Sequence, residues 1–192
     1  MENRKEAPGV FSFTPNFDIA HIVPSSAECV ACHGGTSGQI LGFSAIQLPF
    51  DGLDSSATLS NLDAQGALTH GPADPFEIPG DEIEQQALGY LHANCSHCHN
   101  QERPPRQGAQ CFAPVSSNDL DFYLRTDALD SLEATSTYRT AVGAVITAGD
   151  PGNSELLELI SGRRFFYMPP LATDRVDDDA VELLRRWIET MD

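Results

Sequence analysis

The chain has 192 residues, enough for one ordinary domain or two small ones. Its 28 acidic and 11 basic residues give a formal charge of -17 at pH 7. This charge argues against nucleic acid and anionic lipid as partners, because both would require a basic surface. A partner protein with a basic docking face would be the electrostatic complement, although solubility alone would also account for the excess of acid.

No stretch of the chain approaches the ~18 apolar residues of a membrane helix, so no transmembrane segment is expected. Residues 1–8 lack the apolar core of a signal peptide. If the protein is exported, we therefore expect this sequence to be the mature form, from which a leader has been removed.

The first 80 residues are predicted to be largely irregular. Residues 1–28 are interrupted by three prolines, which predicts an extended arm or a short strand and not a helix. Short helices are predicted around residues 39–48 and over residues 58–68. Residues 70–80 hold three further prolines and are expected to form a linker.

From Asp81 onward the pattern becomes helical. Apolar residues recur at a spacing of three to four, and acidic residues occupy the first turn, where the helix dipole favours them. This predicts a helix that runs from Asp81 into Cys95. Residues 101–116 are expected to form a loop. Ser154 is expected to cap a short helix, and the acidic cluster 177–179 begins the last helix.

Two Cys-x-x-Cys-His motifs dominate the sequence, at residues 29–33 and 95–99. Two thiols at this spacing can form thioether bonds to the two vinyl groups of one haem, and the histidine that follows then lies under the iron as an axial ligand. The sequence therefore predicts two covalently bound haems (haem c). The attaching thiols would be Cys29, Cys32, Cys95 and Cys98, and the axial ligands His33 and His99.

The second haem needs another axial ligand, on its opposite face. Met168 is the best candidate, because the two prolines that follow it stiffen the loop in which its sulfur would be held. A thioether is a soft, neutral ligand, and coordination by one histidine and one methionine raises the potential of the iron. The alternative is that Met168 only fills the core.

Residues 81–192 resemble a class I c-type cytochrome domain. A helix that ends in the second Cys-x-x-Cys-His motif, a loop at 168–170 and a closing helix with Trp187 follow in that order. The resemblance implies that the first and last helices cross with a small residue against an aromatic one. Gly89 or Tyr90 against Trp187 would provide this contact.

The whole chain resembles bacterial proteins that pair an N-terminal Cys-x-x-Cys-His with such a domain. The expected fold is therefore mainly α-helical with extensive loops. Residues 81–192 would form the class I-like cytochrome c domain. Residues 1–80 would form a smaller, irregular haem-binding segment with an extended arm, because the residues before Cys29 do not form an amphipathic helix.

The sixth ligand of the first haem is open between three histidines: His21, His70 and His92. His92 lies one turn before Cys95, so ligation by His92 would bring the two haems close together. His97 lies inside the second attachment loop and is predicted to be poorly placed. Ligation by two histidines would give the first haem the lower potential and hence set a direction for electron flow.

Two other uses of the cysteines compete with haem. The four motif cysteines could bind zinc, although Cys29 and Cys95 are 66 positions apart, far more than in a compact zinc ribbon. They could also form a disulfide within each pair. The fifth cysteine, Cys111, lies outside both motifs. It is expected to be buried and inert, with an intermolecular disulfide as the alternative. Four arginines could pair with haem propionates or remain solvated: Arg103, Arg106, Arg163 and Arg164.

The function expected from these features is electron transfer through two haems, to or from a redox partner protein, without enzymatic activity. One alternative is a dihaem peroxidase-like enzyme, in which the first iron has an open or displaceable sixth position. Another is an electron-entry subunit of a larger oxidoreductase or photosynthetic complex. Haem attachment to this motif occurs outside the cytoplasm, so we expect a periplasmic or extracellular protein. The sequence leaves the oligomeric state open.

Overall fold

The structure is a computed structural model, and it is mainly helical with much loop in the part of the chain that it describes. This confirms the general class expected from the sequence. The described residues are 3–7, 10–13, 21–23, 25–34, 40–51, 57–101, 120–162, 167–171 and 175–192. The predicted loop at 101–116 lies outside them apart from its first residue, as do Cys111, Arg103, Arg106, Arg163 and Arg164.

The chain begins with a small antiparallel sheet. Strands β1 (Asn3–Ala7), β2 (Val10–Phe13) and β3 (His21–Val23) pair in the order β1-β2-β3. The prediction of extended structure is confirmed over these strands. It is wrong at the end of the arm, where helix α1 (Ser26–His33) begins. The N–H of Cys29 donates to Ser25 O at 2.9 Å, so the first motif lies on a helix.

The predicted helix around residues 39–48 is not formed in the described residues 40–48. Only a turn forms, in which the N–H groups of Gln47 and Leu48 both donate to Ser44 O. Gly42 precedes this turn with a φ of 74°, and Pro49 follows it. Neither Gly42 nor Pro49 favours a helix here. A positive φ departs from helical geometry, and the residue before a proline disfavours the helical conformation.

Helix α2 (Leu59–Ala64) is shorter than the predicted 58–68, and the side chain of Thr58 caps it by accepting from the N–H of Asn61 at 3.1 Å. Helix α3 (Glu82–Asn94) forms as predicted from Asp81. The Asp81 carboxylate accepts from the N–H groups of Ile83 and Glu84, and the Glu84 carboxylate accepts from the Asp81 N–H. This reciprocal cap fixes where the helix starts.

Three further helices follow: α4 (Ser136–Ala141), α5 (Glu155–Ser161) and α6 (Asp178–Thr190). The predicted starts of α5 and α6 are confirmed. Asp177 caps α6, whereas the Ser154 hydroxyl makes no cap bond to α5. It accepts from the Thr147 N–H at 2.9 Å and donates to Asp150 O at 2.9 Å, so it ties the preceding loop together.

Helices α3 and α6 contact each other, and their apolar residues form the centre of the core. A Cβ at Gly89 would meet Ile78 Cδ1 at 3.6 Å. The contact of Gly89 or Tyr90 with Trp187 stays a prediction. The Tyr90 hydroxyl donates to the Asp177 carboxylate at 3.3 Å, at the start of α6. Seven of the described core residues are completely buried: Ala87, Leu88, Leu91, Ala141, Leu184, Trp187 and Ile188.

Among the described residues, no helix is long and apolar enough to cross a membrane. The division into segments 1–80 and 81–192 stays a prediction. A contact joins the two predicted segments, because the Ser44 hydroxyl lies 3.0 Å from His92 Nε2.

Candidate functional site

The two Cys-x-x-Cys-His motifs lie at the ends of two helices. The first occupies the second half of α1. The second begins at Cys95, the C-cap residue of α3, and continues as a turn. In this turn the N–H groups of Cys98 and His99 donate to Cys95 O at 3.1 and 2.9 Å. Each motif is therefore held by local backbone hydrogen bonds.

The fold brings the two motifs together. The sulfurs of Cys32 and Cys98 and a ring nitrogen of His97 all lie within 4.8 Å of one another. His97, expected to be poorly placed, therefore lies beside the first motif. Nothing in the sequence indicated this contact, because it joins residues that are more than 60 positions apart.

The motif cysteines differ in their ionisation. Hydrogen bonds from Cys98 and His97 to the Cys32 sulfur, with the positive charges of His97 and His33, lower the pKa of Cys32 from 9.0 to about 4, although burial acts in the opposite direction. Burial alone raises the pKa of Cys95 from 9.0 to about 12. At neutral pH the first motif thus presents a thiolate, whereas Cys95 keeps its proton.

The predicted axial ligand His99 packs against residue 122. Its ring meets the ring of Phe122 edge-on, with 5.5 Å between the centroids and 75° between the planes. The N–H of Phe122 donates to His99 O at 2.9 Å. Because Phe122 is itself buried in the core, this contact fixes the position of the His99 ring relative to the core.

His92 is built into the protein interior. Its Nδ1 accepts from the Leu124 N–H at 3.1 Å, so the proton lies on Nε2, which donates to the Ser44 hydroxyl at 3.0 Å. Burial lowers the pKa of His92 from 6.5 to about 4, which keeps the ring neutral at pH 7. Both ring nitrogens are thus engaged, and ligation of iron by His92 would require one of these bonds to break.

The remaining predicted ligands lie apart from this cluster in the chain. Met168 is half-buried in the segment after α5, and its N–H donates to Leu159 O at 3.0 Å. His70 is exposed after α2. His21 lies in β3, and its side chain is outside the described part of the structure. A role for any of these three in binding iron stays a prediction.

A groove of about 110 Å³ lies beside the cluster. Its lining includes residues 40–43 together with Ser96, His97 and Arg125. Ile40 and Phe43 are 68% and 53% exposed and are the large apolar side chains most open to solvent in the described residues. Exposed apolar side chains beside a groove are typical of a surface that a ligand or a partner covers.

No family model matches this chain, and no curated protein or solved structure matches it either. The resemblance to class I cytochromes therefore stays a prediction from the motifs.

The donor atoms of the two motifs could serve c-type haem, a zinc ion or disulfides. The cluster contains Cys32, Cys98 and His97 but neither Cys29 nor Cys95, so the described residues do not assemble a four-thiolate zinc site. None of the four motif cysteines forms a disulfide. Both motifs contain the thiol pair and the following histidine that haem attachment requires. The exposed Ile40 and Phe43 line the same groove as His97 of the second motif.

Proposed function

We propose that this protein transfers electrons through two covalently bound c-type haems. The observation that carries the proposal is the proximity of Cys32 and Cys98, one from each complete motif, within 4.8 Å. Thioether sulfurs lie at the edge of the ring that they hold. If Cys32 and Cys98 each held a haem, the two cofactors would be attached to the chain at neighbouring positions, as electron transfer between them requires.

The chain would hold each haem by three residues. In the first motif Cys29 and Cys32 would supply the thioethers and His33 the axial nitrogen. In the second motif Cys95 and Cys98 would supply the thioethers and His99 the axial nitrogen, with its ring fixed against the buried Phe122. When bound, the haem irons supply the one-electron redox chemistry.

Met168 would complete the second site. It follows α5 in a segment attached by the hydrogen bond to Leu159 O, and two prolines come directly after it. If Met168 supplied its sulfur as a ligand together with His99, this haem would have the higher potential. In the native protein the second haem would then be the better electron acceptor.

The charge of the chain fits a role in docking. With a formal charge of -17, the protein would attract a redox partner that has a basic face and would repel acidic proteins. Haem attachment to such motifs occurs outside the cytoplasm, so the proposal includes a periplasmic or extracellular location. No observation in the described residues favours the peroxidase-like alternative over electron transfer.

The cluster itself supports one competing function, a metal site. Two thiol sulfurs and one imidazole nitrogen within 4.8 Å are a donor set that zinc accepts, and with only three protein ligands such a site would keep an open position. Zinc binding and haem attachment exclude each other here, because both would use Cys32 and Cys98.

Haem counting with motif variants tests the proposal. The protein should be produced in a bacterial host that attaches c-type haem in the periplasm, and haem should be measured as the pyridine haemochrome together with the intact mass. We expect two haems in the parent chain and one in each of the double variants Cys29→Ala/Cys32→Ala and Cys95→Ala/Cys98→Ala. A parent chain that carries zinc and no haem would contradict the proposal.

A further inference from the structure

We propose that Cys32 and Cys98 form a reversible disulfide in the haem-free chain, which links the first motif to the second. The sequence suggested disulfides only within each motif. The bond between the motifs would use one thiol of each, so its formation would block thioether attachment at both. The disulfide itself is independent of haem, whereas this effect on attachment rests on the proposed function.

The distance between the two sulfurs carries the first step. The sulfurs of Cys32 and Cys98 lie within 4.8 Å of each other, and both residues are thiols in this structure. Sulfur atoms are about 2 Å apart in a disulfide, so the two need to approach by at most about 3 Å. Rotation about the side-chain torsions of the two cysteines would supply this movement. We therefore expect the bond to form without a rearrangement of the backbone.

The surroundings of the pair carry the second step. The Cys32 sulfur accepts hydrogen bonds from Cys98 and His97, so its contacts reach across to the second motif. The other two motif cysteines, Cys29 and Cys95, lie outside this cluster. Cys32 and Cys98 are both half-buried, which leaves their sulfurs within reach of a small oxidant. The structure thus favours a pairing that joins α1 to the turn after α3.

The separation of the two cysteines along the chain carries the third step. Cys32 and Cys98 are 66 positions apart. In the unfolded chain they would meet rarely, because closing a loop of this length costs more entropy than bringing together two thiols of one motif. Folding removes this cost. The link between the motifs would therefore be specific to the folded chain, and once formed it would stabilise the fold by restricting the unfolded chain.

Formation of the bond requires an oxidant, which a small disulfide such as glutathione disulfide would supply. One protein thiol loses its proton and attacks the small disulfide, so that a mixed disulfide forms and one glutathione leaves as a thiol. The other protein thiol then loses its proton and attacks the mixed disulfide, and the second glutathione leaves as a thiol. Two electrons and two protons pass from the protein to the oxidant. An excess of reduced glutathione reverses both steps.

Oxidation of the full haem-free chain in a glutathione buffer tests the proposal. Cys111→Ser removes the fifth thiol, and a chelator keeps metal ions away from the cluster. Cleavage before aspartate residues separates residues 18–50 from residues 81–118, with one motif in each peptide. We expect the two peptides to be joined, and fragmentation to place the bond between Cys32 and Cys98. Disulfides confined to the separate motifs would overturn the proposal.

Two double variants, both with Cys111→Ser, compare the pairs directly. Cys29→Ala/Cys95→Ala keeps the proposed pair, whereas Cys32→Ala/Cys98→Ala keeps two thiols that are also 66 positions apart. At one ratio of oxidised to reduced glutathione, we expect at least about tenfold more intramolecular disulfide in the first variant than in the second. In denaturant the difference should disappear. Equal amounts in the two folded variants, or a difference that persists in denaturant, would overturn the proposal.

The haem-loaded protein separates a failure of this inference from a failure of the proposed function. With both sulfurs in thioether bonds, the same oxidation should produce no link between the motifs. If the haem-loaded protein still forms the bond between Cys32 and Cys98, haem attachment by these two cysteines is contradicted and the disulfide stands. If the haem-free chain does not form the bond, only the disulfide is overturned.

Discussion

The cysteines of the two motifs have the same spacing but different surroundings. The Cys32 sulfur accepts hydrogen bonds from Cys98 and His97, which lowers its pKa to about 4, whereas burial raises the pKa of Cys95 to about 12. Because the thiolate is the reactive form, the haem-free chain should react unevenly with alkylating agents.

At pH 7 we expect iodoacetamide to label Cys32 at least tenfold faster than Cys95, as measured by peptide mass spectrometry. The rate at Cys32 should fall only when the pH approaches its pKa of about 4. Labelling in denaturant, where the cysteines share one environment, is the control. Equal rates at Cys32 and Cys95 in the folded chain would contradict the arrangement of the cluster.

The buried ring of His92 makes stability depend on pH. The pKa of His92 is about 4 in the folded protein, whereas an ordinary histidine, as in the unfolded chain, has a pKa of 6.5. The unfolded chain therefore binds a proton more readily between these two pH values. The contribution to stability is complete above pH 6.5 and is lost progressively as the pH falls toward 4. Over this window it amounts to about 3 kcal/mol.

Denaturant unfolding of the parent and of His92→Gln at several pH values measures this effect. The free energy of unfolding of the parent should fall more steeply between pH 6.5 and pH 4 than that of the variant. The exposed His70→Gln should behave like the parent. Parallel curves for the parent and His92→Gln would show that His92 is not buried as a neutral ring.

At the level of the elements, the pairing of α3 with α6 holds the core together. Trp187 of α6 is completely buried, and no described residue accepts a hydrogen bond from its Nε1. Its contribution should therefore come from packing. We expect Trp187→Ala to lower the free energy of unfolding by about 3–5 kcal/mol. Trp187→Phe, which keeps an aromatic ring, should cost clearly less. Equal losses in thermal or denaturant unfolding would show that the indole N–H matters.

The sequence predicted the elements whose signals are local. The helix from Asp81 follows from its acidic cap and its apolar spacing, and the last helix follows from residues 177–179. The predicted helix at 39–48 was wrong because Gly42 and Pro49 oppose it. The helix at the first motif was not predicted, because it has only eight residues, begins shortly after a proline and carries a weak apolar pattern.

In the candidate site, too, the features with local sequence signals could be predicted and the others could not. The attachment residues could be named from the spacing of cysteines and histidines alone. The contact of His97 with Cys32 could not, because it depends on how α1 packs against the end of α3. The engagement of His92 with Ser44 and Leu124 likewise joins segments that are distant along the chain, and no local pattern indicates it.

At the scale of the whole molecule, the charge of -17 should govern association with partners. We expect the rate of electron transfer to a small basic haem protein to fall by about tenfold or more as salt rises from low to high ionic strength, because salt screens the attraction. The reaction with a neutral small-molecule reductant should change little. If the rate with the basic protein is independent of salt, the excess of acidic residues serves only solubility.

We expect one chain to carry two redox-active haems. A redox titration of the purified protein, followed by its visible absorption spectrum, tests this expectation. We expect two one-electron steps of equal amplitude, with the lower potential at the haem of Cys29 and Cys32. A single one-electron step, or a protein without visible redox-dependent absorption, would contradict it.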